Sequence, residues 1–189
     1  MGKDKDLFWQ LIEKEHKSAR AYCFHLTGGD ADGDDLYQDS IIKAYHGFDR
    51  LKKVESFKYW LYRIVNNNFK SRFRMGWWKK VFNSDHLGEL PWTTDPSGQY
   101  DARRKIDYAL ASLSTDDRML VVLSEIEGWK ITELAEIFAK TEGTIKMRLM
   151  RARDKMRKRL AALNQSQKSR SNAKESISYE MSPGSKDTQ

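Results

Sequence analysis

The stretch "KITELAEIFAKTEGTIKMRLMRARDKMRKRL", residues 130–160, predicts two helices joined by a tight turn. Apolar residues recur at helical spacing on both sides of that turn. The Thr141 hydroxyl can cap the second helix by accepting a hydrogen bond from a free backbone N–H. We therefore expect a helix–turn–helix, with helices over residues 131–139 and 142–163. Its inward-facing residues are Leu134, Ala135, Ile137, Ile145, Leu149 and Ala152.

The second of these helices is strongly basic. Residues 142–160 hold eight lysines and arginines against Glu142 and Asp154, a net charge of +6 in a chain whose total is +7. In a helix–turn–helix the second helix enters the major groove of DNA, where basic side chains bind guanine and neutralise phosphates. The pattern favours DNA binding. A solvated basic helix that packs on an acidic partner is the alternative.

The rest of the chain is also patterned for helices. Apolar residues follow a helical period in residues 5–27, 32–48, 55–74 and 101–113, and no useful stretch alternates as a strand would. Ser114 is placed to cap a further helix that ends at Gly128. The predicted fold class is all-α, with two small helical domains at residues 5–74 and 101–163. A flexible linker at 75–100 joins them, and a disordered C-terminal tail follows at 164–189.

Composition narrows the possible functions. The 189 residues have a sequence pI near 9.4, which indicates a polyanionic partner. No apolar run is long enough to cross a membrane, so we expect no membrane insertion. The single cysteine, Cys23, cannot form an internal disulfide, and the first residues lack the apolar region of a signal peptide. We therefore expect a cytoplasmic protein.

Five aspartates lie within "DADGDDLYQD", residues 30–39. A calcium-binding loop would need Gly at its sixth position and Glu at its twelfth, where this chain has Asp35 and Ile41. A metal-dependent nuclease is the enzymatic alternative, but the four histidines and Cys23 show no zinc-ligand spacing. We expect no metal, no cofactor and no enzymatic activity. We interpret the aspartates as residues at the start of a helix, where negative charge interacts favourably with the helix dipole.

Two segments resemble the two conserved domains of bacterial RNA polymerase sigma factors of the sigma-70 family. The first, residues 30–74, contains "SFKYWLYRIVNNN" at 56–68, and the second, residues 110–160, contains "GTIKMRLMRAR" at 143–153. The resemblance covers about residues 5–74 and 101–162. Sigma factors with only these two domains form the extracytoplasmic-function group, which this chain resembles.

The resemblance implies a promoter-specificity subunit that binds core RNA polymerase, recognises the −35 and −10 promoter elements and helps to melt DNA. Its implied partners are the β′ clamp helices and β flap of the polymerase, promoter DNA and an anti-sigma factor. The residues it implies for polymerase docking are Asp35, Leu36, Gln38, Asp39 and Ile42. The alternative function is a helix-turn-helix regulator that does not join the polymerase, which would have no need of an acidic docking helix.

For the −10 element, the resemblance implies a loop that meets the flipped base, a pocket residue and a set of phosphate contacts. An asparagine amide can both donate to and accept from a base edge. Asn66–Asn68 could alternatively be surface polarity, and the nearby aromatic residues are expected in the core. The implied residues are Leu51, Lys52, Lys53 and Val54 in the loop, Asn67 in the pocket, and Lys70, Arg72 and Arg74 on phosphates.

For the −35 element, the resemblance implies readout by the basic helix of the second domain. Lys130, Ala139 and Met147 stand where the family usually has Ser, Gly and a small polar residue. We therefore expect an unusual −35 sequence and a turn without its usual residues. The implied base contacts are Lys146, Met147, Met150 and Arg151, and Thr144, Arg148 and Arg153 are implied for the DNA backbone or the packing of the helix.

Overall fold

The structure, a computed structural model, describes residues 5–74 and 99–180. Within these residues the regular elements are helical, with no strand, which confirms the all-α prediction. The predicted linker, 75–100, lies outside the described residues except for its last two, which begin a helix. The α-helices are α1 (Lys5–Thr27), α2 (Asp30–Gly47), α3 (Phe57–Arg74), α4 (Gln99–Leu110), α5 (Thr115–Val121), α6 (Ile131–Phe138) and α7 (Glu142–Glu180).

Helices α1, α2 and α3 pack on one another and form the N-terminal unit, residues 5–74. Phe8 lies at the centre of its core and meets Phe48 and Phe57 edge to face, with ring centroids 5.3 and 5.9 Å apart. Such edge-to-face pairs stabilise beyond the area that they bury. The thiol of Cys23 is fully buried in the same core, and this burial raises its pKa well above the ordinary value.

Helices α1 and α2 approach each other closely at Gly33. A Cβ at this position would lie 2.8 Å from the Cα of Phe24, which is closer than real side chains come. The glycine is therefore required by the crossing of the two helices rather than by a turn. The preceding Gly28, at φ 78°, ends α1 in the left-handed conformation that glycine tolerates without strain.

In the C-terminal unit, residues 99–180, α4, α5 and α6 pack against α7. Ser114 caps α5, and its hydroxyl accepts a hydrogen bond from the Asp117 N–H at 3.2 Å, as predicted. After Val121 the helix widens into a π-helical turn, Val122–Ile126, and the chain reverses at Gly128, at φ 71°. The single helix expected between Ser114 and Gly128 is thus an α-helix that ends in a π turn.

The helix–turn–helix prediction is confirmed by α6 and α7. Thr141 Oγ1 accepts a hydrogen bond from the Thr144 N–H at 3.3 Å, which is the expected cap. Ala139 has φ 50°, the left-handed region that costs a residue with a Cβ about 1–2 kcal/mol. At the start of α6, the Lys130 N–H donates to the Glu133 carboxylate at 2.9 Å. This is one half of a capping box, and the other half is missing because the Lys130 side chain cannot accept a hydrogen bond.

Helix α7 differs from the prediction in its length. We expected it to end at about Leu163, and its described part runs to Glu180. Residues 164–180 contain neither proline nor glycine, so nothing in the backbone interrupts the helix. Residues 181–189 lie outside the described part.

The two units pack against each other. One continuous group of buried apolar side chains runs from the core of the N-terminal unit to that of the C-terminal unit. Trp129 lies at the junction and is 8% exposed. Across the residues that the structure describes, we find no helix both long and apolar enough to span a membrane.

Candidate polymerase and DNA interfaces

Four of the five residues implied for polymerase docking have side chains that reach solvent on α2. Asp35, Gln38 and Ile42 are exposed and Asp39 is partly buried. Leu36 is fully buried in the core and cannot touch a partner. The helical period of α2 correctly predicts that Leu36 points inward. Its assignment to the docking surface is therefore wrong, and Leu36 is a core residue that holds α2 in place.

Beside these residues, α1 and α2 form an apolar groove of about 800 Å³. Ile42 and Trp9 line it with side chains that are 55% and 52% exposed. Large exposed apolar side chains that lie close together mark interaction surfaces. Trp9 was missed by the sequence analysis, although its place beside Phe8, outside the inward stripe of α1, was a usable signal. We call Trp9, Gln38, Ile42 and the space between them the docking groove.

The aspartates of residues 30–39 lie on α2, so they do not form a calcium loop. Asp34 accepts two hydrogen bonds from the Arg20 guanidinium, at 2.6 and 2.8 Å. This contact, above all its hydrogen bonds, lowers the pKa of the Asp34 carboxyl. Asp39 pairs with Arg72 of α3. Among residues 5–74 and 99–180, no three His, Cys, Asp or Glu side chains converge as metal ligands would.

The loop implied for the flipped base is divided between the core and the surface. Lys52 and Lys53 are exposed and Val54 is partly exposed. Leu51 is 5% exposed and packs in the core, so its assignment to the DNA-binding loop is corrected to an anchor of that loop. The anchor fixes the loop between two short 3₁₀ turns, Phe48–Arg50 and Val54–Ser56.

The three consecutive asparagines have different roles. Asn66 is buried and accepts a hydrogen bond from the Tyr22 hydroxyl at 2.6 Å. Asn68 is buried as well, and it donates to Ser40 at 3.1 Å and accepts from Lys43. These buried amides are satisfied by hydrogen bonds and fix the packing of α3. Only Asn67 of the three is exposed.

Asn67, Lys70 and Arg74 line a cleft of about 390 Å³ together with Thr115 of the C-terminal unit. An exposed amide and two cations can bind a base edge and backbone phosphates. Arg72 lies on the opposite side of α3, where it donates to the Asp39 carboxylate and to the Asp35 backbone carbonyl. The structure thus brings three of the four α3 residues together and separates Arg72 from them.

Helix α7 presents a basic face with two exposed methionines. Met147 and Met150 are 46% and 56% exposed, and Thr144, Lys146 and Arg151 are exposed beside them. Methionine on such a face offers an adaptable apolar surface to bases. Lys146 lies 3.7 Å from the Glu142 carboxylate one turn earlier, a weak surface pair.

The other two arginines implied for DNA are held by the C-terminal unit itself. Arg148 donates twice to Asp117, at 3.0 and 2.8 Å, and Arg153 donates to Glu125 at 2.7 Å. Desolvation alone would raise the pKa of Asp117, but the hydrogen bonds from Ser114 and Arg148 outweigh it and the pKa is lowered. Of the two roles expected for Arg148, contact with the DNA backbone and packing of the helix, these hydrogen bonds favour packing.

Comparison with known proteins finds a match for each of the two helical units. The family model for sigma-70 region 2 matches residues 11–79, and that for sigma-70 region 4 matches residues 103–156. Together the two matches cover more than half of the chain.

The extracytoplasmic-function RNA polymerase sigma factor SigM of Mycobacterium tuberculosis is 27% identical over 161 residues, 85% of this chain and 81% of that protein. The sigma-E factor of Salmonella typhimurium is 28% identical over 166 residues, 81% of this chain and 85% of that protein. Among solved structures, the sigma factor RpoE of Bartonella quintana in complex with the anti-sigma factor NepR aligns with a TM-score of 0.60. It is 27% identical, and the alignment covers 84% of this chain and 98% of that one.

The two helical units, each matched by one of these family models, are those of an RNA polymerase sigma factor. The chain belongs to the sigma-70 family, within its extracytoplasmic-function group. It is a promoter-recognising sigma factor.

Proposed function

We propose that this sigma factor docks on core RNA polymerase through α2 and the docking groove, and that it reads promoter DNA with α3 and α7. The observation that carries the proposal is the exposed apolar pair of Trp9 and Ile42 beside the polar residues of α2. A DNA-binding regulator that acts alone has no use for such a groove, and its apolar surface would favour aggregation.

We propose that the two promoter elements are read by different helices. The exposed face of α7, centred on Met147, Met150 and Arg151, has the shape and charge to enter the major groove at the −35 element. The cleft beside Asn67 and Lys70 suits a single strand from the −10 element, whose bases are free only after melting. Lys52 and Lys53 support the same strand from the neighbouring loop.

These surfaces act by binding, and we propose that the protein carries out no catalytic step of its own and works in the cytoplasm beside the polymerase. An anti-sigma factor is a further proposed partner, because the related RpoE of Bartonella quintana was solved in complex with one. Its binding would keep the sigma factor from the polymerase until a signal releases it.

The docking groove is tested by gel filtration with bacterial core RNA polymerase. The wild-type protein is expected to co-elute with the polymerase. Ile42→Glu places a charge in the groove at a side chain that is 55% exposed, so folding should be retained. The variant should bind the polymerase at least about tenfold more weakly, because its carboxylate would be desolvated in the complex.

Ser18→Glu is the matched control. It introduces the same side chain at an exposed position of α1, which does not line the groove. The control should co-elute as the wild type does. If Ile42→Glu also co-elutes unchanged, the groove is not the polymerase site. If the wild-type protein binds duplex DNA but not the polymerase, the regulator that acts alone is the better description.

A further inference from the structure

Two methionines lie at the centre of the side of α7 that faces away from the core. Ile145, Leu149 and Ala152 point inward and are almost fully buried. At about 100° per residue, Met147 lies about 160° round the helix from both Ile145 and Leu149. Met150 lies about 160° from Ala152 by the same count. Both methionines are exposed in the middle of the outward side, and we call them the methionine pair.

The outward side of α7 is open one turn before Met147. Gly143 occupies that position, four residues earlier on the same side of the helix. Among the described residues, nothing lies within 4 Å of the place that a Cβ at Gly143 would take. Because glycine has no side chain, the edge of a base pair can come close to the helix backbone there and reach the thioether of Met147.

Hydrogen-bonding side chains flank the methionine pair, but two of them already have partners inside the C-terminal unit. The hydroxyls of Thr144 and Thr141 share a hydrogen bond at 2.9 Å. The Arg148 guanidinium donates twice to the Asp117 carboxylate, at 3.0 and 2.8 Å. Arg151 is exposed beside the pair. The outward side of α7 therefore presents an apolar centre with positive charge at its edge.

The chemistry of methionine determines which base it favours. Its sulfur is only a weak acceptor and the side chain has no donor, so it cannot read the hydrogen-bonding groups of a base. In the major groove, the C5-methyl group of thymine is the apolar group that a side chain can touch. A polar base edge beneath methionine would lose water without gaining a hydrogen bond, which is unfavourable. An exposed methionine on a recognition helix thus favours thymine.

The spacing of the methionine pair matches the spacing of base pairs. Met147 and Met150 are three residues apart, which is about 4.5 Å along the helix axis. Base pairs of a duplex are stacked about 3.4 Å apart. Since the methionine side chain is flexible and adapts to the surface that it meets, the two thioethers can reach the edges of two neighbouring base pairs.

We propose that Met147 and Met150 read the C5-methyl groups of thymines, on either strand, at two neighbouring base pairs of the −35 element. Arg151 binds a phosphate at the edge of the same contact. The inference rests on the proposed function, in which α7 reads duplex DNA, and it names the chemical group that α7 reads.

The test uses the complex of the full-length protein with bacterial core RNA polymerase. Selection from a library of short random duplexes, which stay paired, gives the sequence that α7 prefers. Each thymine of that sequence is then replaced singly by deoxyuridine, which lacks only the C5-methyl group. Competition binding compares the thymine and deoxyuridine duplexes for the wild type, Met147→Ala and Met150→Ala. Both substitutions are at exposed helical positions where alanine is well tolerated, so folding should be retained.

Controls separate the methyl contact from general effects on DNA binding. Met147→Leu and Met150→Leu keep an apolar side chain and should retain a preference for thymine. Arg151→Ala should weaken binding to the thymine and deoxyuridine duplexes alike. Because every variant is compared on the same two duplexes, any effect of deoxyuridine on the duplex itself cancels from the comparison.

The expected result is that deoxyuridine at two neighbouring base pairs lowers the affinity of the wild type about threefold at each. Met147→Ala should remove the loss at one of these positions, and Met150→Ala should remove it at the other. Equal affinity of the wild type for thymine and deoxyuridine throughout the selected sequence would overturn the proposal. A preference for thymine that survives in both alanine variants would also overturn it.

The same experiment tells failure of the methyl contact from failure of the proposed function. If a duplex sequence is selected but deoxyuridine has no effect, α7 still reads DNA and only the methyl contact is wrong. If the complex forms and no duplex sequence is selected, α7 does not read duplex DNA, and both the proposed −35 contact and the inference drawn from it are wrong.

Discussion

Helices α3 and α7 both carry DNA-binding candidates, but the protein presents them differently. On α7, Met147, Met150 and Arg151 are exposed. On α3, Asn67, Lys70 and Arg74 border a cleft that α5 closes from the other side. The surface proposed for duplex DNA is therefore accessible, whereas the surface proposed for the melted strand is restricted.

The difference follows from the chemistry of the two ligands. A duplex is recognised by a protruding helix in the major groove, and such a helix needs few neighbours beyond its buried face. A single strand needs a recessed path with an amide and cations, and a recess with apolar flanks also fits another part of the same protein. Single substitutions test this contrast residue by residue.

The largest effect is expected from a pair of neighbours on α7. Leu149→Ala should lower the free energy of unfolding by about 2–5 kcal/mol, because Leu149 is 1% exposed and its loss leaves a cavity. Met150→Ala, at 56% exposure, should change it by less than about 0.5 kcal/mol and weaken duplex DNA binding instead. Urea denaturation measures the free energy of unfolding, and a gel-shift assay measures duplex DNA binding. A large stability loss in Met150→Ala would show that the α7 face is packed rather than accessible.

The next effect concerns Arg148, which is on α7 but held by Asp117. Arg148→Met should lower the free energy of unfolding by about 1.5–3 kcal/mol, since both charge-assisted hydrogen bonds to Asp117 are lost and a partly buried carboxylate remains. Arg151→Met is the matched control on the exposed face and should leave stability unchanged. Equal stability in both variants, measured by urea denaturation, would contradict the packing role of Arg148.

The Arg148–Asp117 pair also predicts that the stability of the fold depends on pH. Because the pKa of Asp117 is lowered in the folded protein, its carboxylate stabilises the fold above the usual Asp pKa. This contribution disappears as the pH falls from about 4 through the lowered value. Urea midpoints between pH 6 and pH 3 should therefore fall more for the wild type than for Asp117→Asn. Parallel curves would show that the pair does not couple to folding.

Salt dependence separates the accessible cations of α7 from the held ones. In nonspecific duplex binding, Arg151→Ala should reduce the slope of log K against log salt by about 1, as expected for one lost phosphate contact. Arg153→Ala should reduce it by less, because Arg153 already pairs with Glu125. Equal slopes for the two variants would show that the ion pair opens freely on DNA.

The smallest effect is expected at the turn between α6 and α7. Ala139→Gly should raise the free energy of unfolding by about 0.5–1 kcal/mol, because glycine adopts the left-handed conformation at φ 50° without strain. Part of the relief is offset by the larger conformational freedom of glycine in the unfolded chain. Thermal and urea unfolding measure the gain. A loss of stability would mean that the Cβ of Ala139 has a packing role.

Sequence patterns correctly predicted the structural features that depend only on residues near one another in the chain. The helical periods, the Ser114 and Thr141 caps and the break at Gly28 follow from neighbouring residues, and the structure confirms them. The helices proposed for docking and for DNA recognition were likewise placed from motifs, and the structure contains a helix at each position. Leu36 and Leu51 were assigned to surfaces because a motif names positions without distinguishing the side chain that supports a loop from one that touches a partner.

Patterns could not predict what depends on distant parts of the chain. The pairing of Arg148 with Asp117 joins residues 31 positions apart, and Lys70 meets Asp116 across two units. Helix α7 extends beyond the end predicted at about Leu163, and residues 164–180 contain neither proline nor glycine. Burial of two of three adjacent asparagines depends likewise on Tyr22, Ser40 and Lys43.

The buried thiol of Cys23 can report how often the N-terminal core opens. This side chain is the only cysteine, it is fully buried among α1, α2 and α3, and its raised pKa keeps it protonated at neutral pH. An alkylating reagent can therefore react only during moments when the N-terminal core opens. The rate of alkylation would time those openings, and it would slow whenever a bound partner makes them rarer.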